Sequence, residues 1–154
     1  MPRSYPPTHP HTVLRINVMG EDEVLNHRLM QMGILPGTEL TVVRSGAFGG
    51  PVELAADLGQ SIAMRKSDLQ SIHWDVVALP LSAVQRVSPP DWRVLRLAGG
   101  RRFQQHFRQM GIVAGVEFTL MGLAPIRIRI ASTSVHVGRG EAERLIVEPV
   151  RVTT

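Results

Sequence analysis

The chain has 154 residues, a formal charge of +4 and no cysteine. The lack of cysteine excludes a disulfide framework, a thiolate metal site and a thiol nucleophile. Apolar residues make up 44% of the sequence, as is ordinary for a globular protein, and no run of them approaches the roughly 18 residues of a membrane helix. The N-terminus lacks the basic, apolar and small-residue order of a secretory signal, so we expect a cytoplasmic protein.

The first twelve residues contain four prolines and almost no apolar side chains. We therefore expect residues 1–12 to form a disordered arm. His9 and His11 lie in this arm and are weak candidates for binding a transition metal ion. Two imidazoles without a third fixed ligand do not hold a metal tightly, so we expect no resident cofactor.

The first half of the chain predicts a small, mainly β domain. The predicted elements are a strand at 13–18, a helix ending at Met32, strands at 38–44, 52–56 and 62–64, one helical turn capped by Ser67 or Asp68, and a last strand at 72–74. A glycine-rich loop at 45–51 separates two of these strands. Residues 75–80 are predicted to be a connector.

The segment Gln31–Val42 recurs as Gln109–Leu120, 78 positions later and with seven of twelve residues identical. Each copy predicts a helix closed by a left-handed glycine, a tight turn and the start of a strand. A repeat of this length indicates two small domains in tandem rather than a solenoid. Leu29 and Phe107 are predicted to occupy equivalent core positions.

The second half predicts the same elements in the same order. They are a strand near 94–97, a helix at 101–110, strands at 126–130 and 135–137, a turn at 138–143 and a last strand at 145–147. The offset between the halves falls to 73 by this point, so we expect the glycine-rich loop to be five residues shorter. The charge also differs, because residues 1–77 carry six basic and eight acidic side chains and residues 78–154 carry eleven and five.

Several separated motifs resemble the FeoA domain. In the first half they are residues 28–34, 36–38, 50–52 and 62–66, and in the second half they are 79–82, 109–112, Gly115 and 141–143. The second half departs from the family pattern at Ala114, at Gly138 and in its shortened loop. The resemblance implies a mainly β chain with short helices: two tandem SH3-like small β-barrels at 13–76 and 79–152, each with an inserted helix.

The resemblance further implies a non-enzymatic accessory protein of ferrous-iron transport, with at most weak binding of ferrous iron or another divalent transition metal. Its expected partner is the cytosolic side of the FeoB-type membrane GTPase transporter, and no catalytic residues are carried over. The sequence agrees, since it lacks paired cysteines, a His-Glu-x-x-His motif and a recognisable nucleophile context. Self-association into a homo-oligomer is left open.

Two alternatives come from other classes of protein. Repressors of the DtxR type carry this domain, and the basic second half suits a regulator-associated or nucleic-acid-binding module. Residues 1–12 leave no room for the N-terminal helix-turn-helix of such repressors, so we do not expect nucleic-acid binding. A polyproline-binding SH3 module needs an aromatic ledge, and the only Tyr and Trp residues are Tyr5, Trp74 and Trp92.

Partner contact is expected where the first half exceeds a minimal barrel, because recognition usually lies in loops on a rigid scaffold. These features are the glycine-rich loop and the corner that follows the fourth strand. The candidate partner-binding residues are Phe48, Gly49, Gly50, Met64, Arg65 and Lys66. The second half, with a charge of +6, is expected to steer an acidic partner.

Overall fold

The computed structural model describes residues 9–57 and 59–150. The first eight residues of the predicted arm and the last two of the predicted second domain lie outside these ranges. The chain divides into two compact units, Met1–Val77 (unit 1) and Ala78–Thr154 (unit 2). Neither unit has, in its described part, a helix long and apolar enough to cross a membrane.

Unit 1 follows the predicted order of elements. These are β1 (Val13–Val18), α1 (Glu23–Gln31), β2 (Glu39–Ser45), β3 (Val52–Ala56), β4 (Ser61–Met64), α2 (Lys66–Ser71) and β5 (His73–Pro80), with a single 3-10 turn at Ala47–Gly49. Helix α1 begins after Asp22, whose carboxylate accepts a hydrogen bond from the Leu25 N–H at 3.1 Å. This N-cap satisfies one of the free donors of the first turn.

Unit 2 repeats the series. After a 3-10 turn at Leu81–Ala83 come β6 (Asp91–Leu97), α3 (Arg101–Gln109), β7 (Glu117–Leu123), β8 (Ile126–Ile130), β9 (Thr133–Val137), α4 (Arg139–Ala142) and β10 (Leu145–Pro149).

Both units order their strands in the same way. The hydrogen-bonded order is β4-β3-β2-β1-β5 in unit 1 and β9-β8-β7-β6-β10 in unit 2. The mainly β, SH3-like fold predicted from the sequence is confirmed. The predicted barrels are corrected in one respect, because the sheets formed by the described residues are open. Helices α2 and α4, rather than a closing ladder, connect β4 to β5 and β9 to β10.

Each core is built from the inward residues of the strands, one face of the unit's first helix and one residue of its second helix, Leu69 of α2 or Ala142 of α4. Leu29 of α1 and Phe107 of α3 are both 0% exposed, so the predicted equivalence is confirmed. The two tryptophans are buried with their indole N–H groups satisfied, Trp74 by the Leu69 carbonyl at 2.9 Å and Trp92 by the Pro89 carbonyl at 2.7 Å. A buried indole without such a partner would cost free energy.

The structure corrects two boundaries in unit 1. Helix α2 begins at Lys66 after Arg65, which makes no side-chain capping bond, so neither Ser67 nor Asp68 caps it. The predicted connector 75–80 is part of β5, because Val76 and the residues 78–80 are buried. A strand that is buried along much of its length reads as a continuous apolar run rather than an alternating one.

The offset between the units falls in two steps. Ser45 corresponds to Leu123 as the last residue before the hairpin end, an offset of 78, and Val52 corresponds to Ile126, an offset of 74. Ser61 of β4 then corresponds to Ser134 of β9, an offset of 73. The glycine-rich loop therefore accounts for four of the five missing residues and the next turn for the fifth, which corrects the expectation that the loop accounts for all five.

Both units also have a bulge at the same place before this hairpin end. The register shifts between Val42 and Arg44 in β2, and between Leu120 and Gly122 in β7. The extra residues, Val43 and Met121, are exposed apolar side chains. The bulge is thus a property of the repeated fold and not of either sequence alone.

Candidate partner-binding surface

The repeated motif first closes helix α1. Gly33 has a φ of 81°, in the left-handed region, and its N–H donates to the Met30 carbonyl at 3.0 Å. The Ile34 N–H donates to the Leu29 carbonyl at 2.9 Å, which completes a Schellman motif. Unit 2 has the same two bonds, from Gly111 to Arg108 at 3.0 Å and from Ile112 to Phe107 at 2.8 Å.

The motif then ties the turn to the first strand of the sheet. Gly37 has a φ of 94°, and its N–H donates to the Ile16 carbonyl at 2.6 Å. The equivalent bond in unit 2 runs from Gly115 to Val94 at 2.8 Å. The prediction that both copies share one local fold is confirmed. These backbone hydrogen bonds close the helix and join it to the sheet. The motif therefore has a structural role.

The glycine-rich loop of unit 1 is held by a narrow neck. The Gly46 N–H donates to the Pro51 carbonyl at 2.9 Å, and the Gly50 N–H donates to the Ala47 carbonyl at 3.0 Å. A Cβ atom at Gly46 would lie 2.9 Å from the backbone of Gly50, closer than a carbon side chain tolerates. The neck therefore requires glycine because two backbone segments touch there.

Phe48 sits in this loop with its side chain fully in solvent. Its relative exposure is 107%, the highest of the exposed large apolar residues in the described chain. Its backbone is left-handed, with φ 53° and ψ 43°, a conformation that costs a non-glycine residue about 1–3 kcal/mol. Phe48 thus carries backbone strain and an exposed aromatic ring without contributing to the core.

The corner after β4 lies at the same end of the sheet as this loop. Val52 follows the loop and pairs with Met64, which precedes Arg65. Met64 is only 1% exposed, so the structure removes it from the predicted contact residues and places it in the core. Arg65 is exposed, with its Nε 3.7 Å from the Asp68 carboxylate, and Lys66 is half-buried.

A polar groove adjoins the loop. It is open, has a volume of about 370 Å³ and is lined by Arg44, Gly46, Pro51, Glu53, Ser61 and Ala63. Glu53 accepts hydrogen bonds from the Arg44 guanidinium and, at 3.0 Å, from the Ser61 hydroxyl. These two bonds lower the pKa of Glu53 below its ordinary value. Phe48, Gly49 and Gly50 therefore lie in one loop beside this groove, and the strand register places Arg65 at the same end of the sheet.

The two histidines of the arm are not among the residues that line the groove or form the loop. His9 is exposed, and the backbone N–H of His11 donates to the Val42 carbonyl at 2.8 Å. Residues 11 and 12 are thus attached to β2, since the Val42 N–H donates back to the Thr12 carbonyl at 2.8 Å. In residues 9–57 and 59–150, no group of three or more His, Asp or Glu side chains is arranged to hold a metal ion.

Unit 2 carries a basic face that was not among the predicted site residues. Arg127 and Arg129 are exposed on β8, and Arg127 pairs across the ladder with the exposed His136 of β9. The matching positions of unit 1 are Glu53, Ala55 and Ala63. Alternation in the β8 sequence places the two arginines outward, but their meeting with His136 depends on the strand register, which the sequence leaves undefined.

Comparison with known proteins places the repeat in one family. The model of the FeoA domain matches residues 6–75 and again residues 91–149. No curated protein matches the chain.

The solved structures that are similar to this chain include the following three. The solution structure of iron(II) transport protein A from Clostridium thermocellum is 28% identical, with 92% of this chain and 84% of that one covered and a TM-score of 0.47. A crystal structure of an iron uptake regulatory protein (FeoA) is 24% identical, with 47% of this chain and 97% of that one covered and a TM-score of 0.43. An FeoA-like protein from Clostridium acetobutylicum is 25% identical, with coverages of 45% and 79% and a TM-score of 0.40.

Proposed function

Because this chain belongs to the FeoA domain family, we propose that it is a non-enzymatic cytoplasmic accessory protein that binds the cytosolic part of the FeoB-type ferrous-iron transporter. Membership of the family supports a role in ferrous-iron transport. The proposal adds the mode of action, which is protein–protein contact, and the surface of unit 1 that makes it.

The observation that carries the proposal is Phe48. A fully exposed phenylalanine with a strained backbone adds no burial energy to the folded state. An aromatic side chain inserted into a partner's pocket, in contrast, is a typical binding hot spot. The neck at Gly46 and Gly50 limits the motion of the loop, which lowers the entropy lost on binding.

The surroundings of Phe48 suit the rim of an interface. The exposed Arg65 and the Arg44–Glu53 pair border the loop and supply polar groups around an apolar centre. Unit 2, with its excess of basic residues, would raise the rate of association with an acidic partner.

A binding measurement with the purified cytosolic domain of the transporter tests this proposal. Phe48→Ala should weaken binding by about 2 kcal/mol, or about thirtyfold in Kd, as expected for a buried aromatic anchor. Met121→Ala is the matched control, since Met121 is an exposed apolar side chain of unit 2. Salt should lower the association rate more than it raises the dissociation rate.

Two results would count against this surface. One is an unchanged Kd for Phe48→Ala in a chain whose circular dichroism matches the wild type. The other is an equal loss for Met121→Ala, because that would show a general effect of removing exposed apolar area.

A further inference from the structure

The search for a second binding surface leads to the outer face and free edge of β8 and β9. We infer that this part of unit 2 binds an acidic peptide segment in extended conformation, added as a strand beside β9. The inference is independent of the contact proposed for Phe48, because it rests on different residues and on a different kind of partner.

The first observation is an open edge. In the described part of the sheet β9 is the terminal strand and pairs only with β8. An edge strand presents unpaired N–H and C=O groups, and proteins usually protect such an edge with charged residues or proline. β9 reads Thr-Ser-Val-His-Val and has neither. It can therefore accept another strand.

The second observation is uncompensated positive charge next to that edge. Arg127 and Arg129 form no ion pair with any carboxylate of the described residues. Their ladder neighbours on β9 are His136 and Ser134, and Arg129 faces Thr119 on β7. None of these ladder neighbours is acidic. Asp91 of β6 also lies on this face, two strands from Arg129, and accepts the Thr119 hydroxyl at 3.1 Å. The positive potential of β8 is therefore not cancelled by its ladder partners on the adjacent strands.

Other charged side chains in unit 2 already have partners within the unit. Arg93 lies 2.7 Å from Glu117 and 3.4 Å from Glu148, and these hydrogen bonds raise its pKa. Glu141 accepts the Gly138 N–H at 3.0 Å and lies 3.1 Å from the His106 ring. Four of the five side-chain carboxylates of the unit, with Asp91 among them, thus have partners other than Arg127 and Arg129, and these two arginines remain available.

The spacing of the arginines fits an extended acidic segment. Residues i and i+2 of one strand lie on the same face about 7 Å apart, and alternate carboxylates of an added strand have the same repeat. Opposite charges on one face of a sheet favour such a pairing, and the short Ser134, which pairs with Arg129, leaves room for that arginine to reach over β9. Arg127 has His136 as its partner on β9 and adds to the positive charge of the face.

A single-stranded nucleic acid fits this face less well. Binding of unpaired bases relies on exposed aromatic rings for stacking. The outward side chains that the structure describes on this face are Thr119, Met121, Arg127, Arg129, Ser134 and His136, and none is Phe, Tyr or Trp. Strand addition, in contrast, uses the free backbone of β9 directly.

The test uses the full chain and a short fluorescein-labelled peptide that alternates Glu with Val. We expect the peptide to bind, and Arg127→Gln with Arg129→Gln to weaken binding by about tenfold, since each exposed charge pair contributes modestly. The matched control is Arg101→Gln with Arg108→Gln, which removes the same charge from exposed positions of α3. It should change Kd by less than about twofold at moderate salt, because distant exposed charges are screened.

Strand pairing is tested separately from charge. Two versions of the peptide carry N-methyl groups on alternate residues, one version along each edge of the strand. Addition to β9 predicts that one version loses binding and the other keeps it, since only one edge of the peptide can pair. Hydrogen exchange of the wild-type chain provides a readout that needs no variant, and amides in Thr133–Val137 should slow when the unmodified peptide is bound.

Four outcomes would overturn the inference. Equal weakening by the α3 control would show a general charge effect. Equal binding of both N-methylated peptides, or unchanged exchange in β9, would exclude strand addition. Tighter binding of oligothymidylate than of the peptide, with competition between them, would assign the face to nucleic acid.

Discussion

The two units have the same scaffold and differ at one end and on one face of it. The sheet order, the closing glycine of the helix and the bulge are repeated. The hairpin end spans residues 46–51 in unit 1 and residues 124–125 in unit 2. The outer face carries the Arg44–Glu53 ion pair in unit 1. In unit 2 it carries Arg127 and Arg129, which form no ion pair with any carboxylate that the structure describes. This contrast suggests that the shared parts specify the fold and the differing parts specify partners.

The largest expected effect comes from truncating the two equivalent core side chains, which tests the shared scaffold. Leu29→Ala should cost about 2–5 kcal/mol and Phe107→Ala about 3–5 kcal/mol, because each leaves a cavity in a small core. Urea unfolding measures both, and Met30→Ala on the exposed side of α1 is the control. A cost below about 1 kcal/mol at either position would break the equivalence of the two cores.

A second test uses the closing glycines. Gly33→Ala and Gly111→Ala should each cost about 1–2 kcal/mol, since both residues have a φ near 80° and an added Cβ disfavours that region. Gly140→Ala is the control, because its backbone is not left-handed and an added Cβ would meet no atom within 4 Å. The comparison fails if the two units respond differently to this common change.

A substitution in the loop of unit 1 should increase stability, whereas the core and glycine substitutions decrease it. Phe48→Asn is expected to raise the free energy of unfolding by about 0.5–1 kcal/mol, because asparagine tolerates the left-handed region better and no buried contact is lost. Binding of the transporter domain should fall in the same variant. Thermal unfolding measures the gain in stability, and the binding assay measures the loss of affinity. A loss of stability would show that Phe48 supports the fold after all.

The smallest expected effect concerns pH. The pKa of Glu53 is lower in the folded chain than in the unfolded one, so its hydrogen bonds stabilise the fold above the ordinary carboxylate pKa of about 4.3. This contribution is lost as the pH falls through the lower, folded value. Glu53→Gln should flatten that part of the stability profile, measured by urea unfolding at a series of pH values. Unit 2 has Arg127 at this position and no counterpart of the effect.

Local signals explain what the sequence predicts well. The glycine cap, the turn at Gly37 and the strand that follows depend on neighbours within about one turn of chain, so the repeated motif predicts them correctly. The helix positions Leu29 and Phe107 follow from the same periodicity.

Longer-range pairing explains the errors and omissions. Met64 ends an alternating strand and is inward because it pairs with Val52, yet its position beside Arg65 suggested an exposed corner. Residues 75–80 lack alternation and end in a proline, so their strand was predicted as a connector. The face formed by Arg127 and His136 depends on the register of two strands, which no local pattern encodes.

The hairpin end beyond the bulge has an evolutionary consequence. Pairing resumes at Ser45 with Val52 in one unit and at Leu123 with Ile126 in the other, whatever the number of residues between them. Insertions at this point lengthen the loop without shifting any inward side chain. After a gene duplication, one copy can therefore acquire a recognition loop one residue at a time while the other keeps a minimal turn, and selection can act on the loop without disturbing the core.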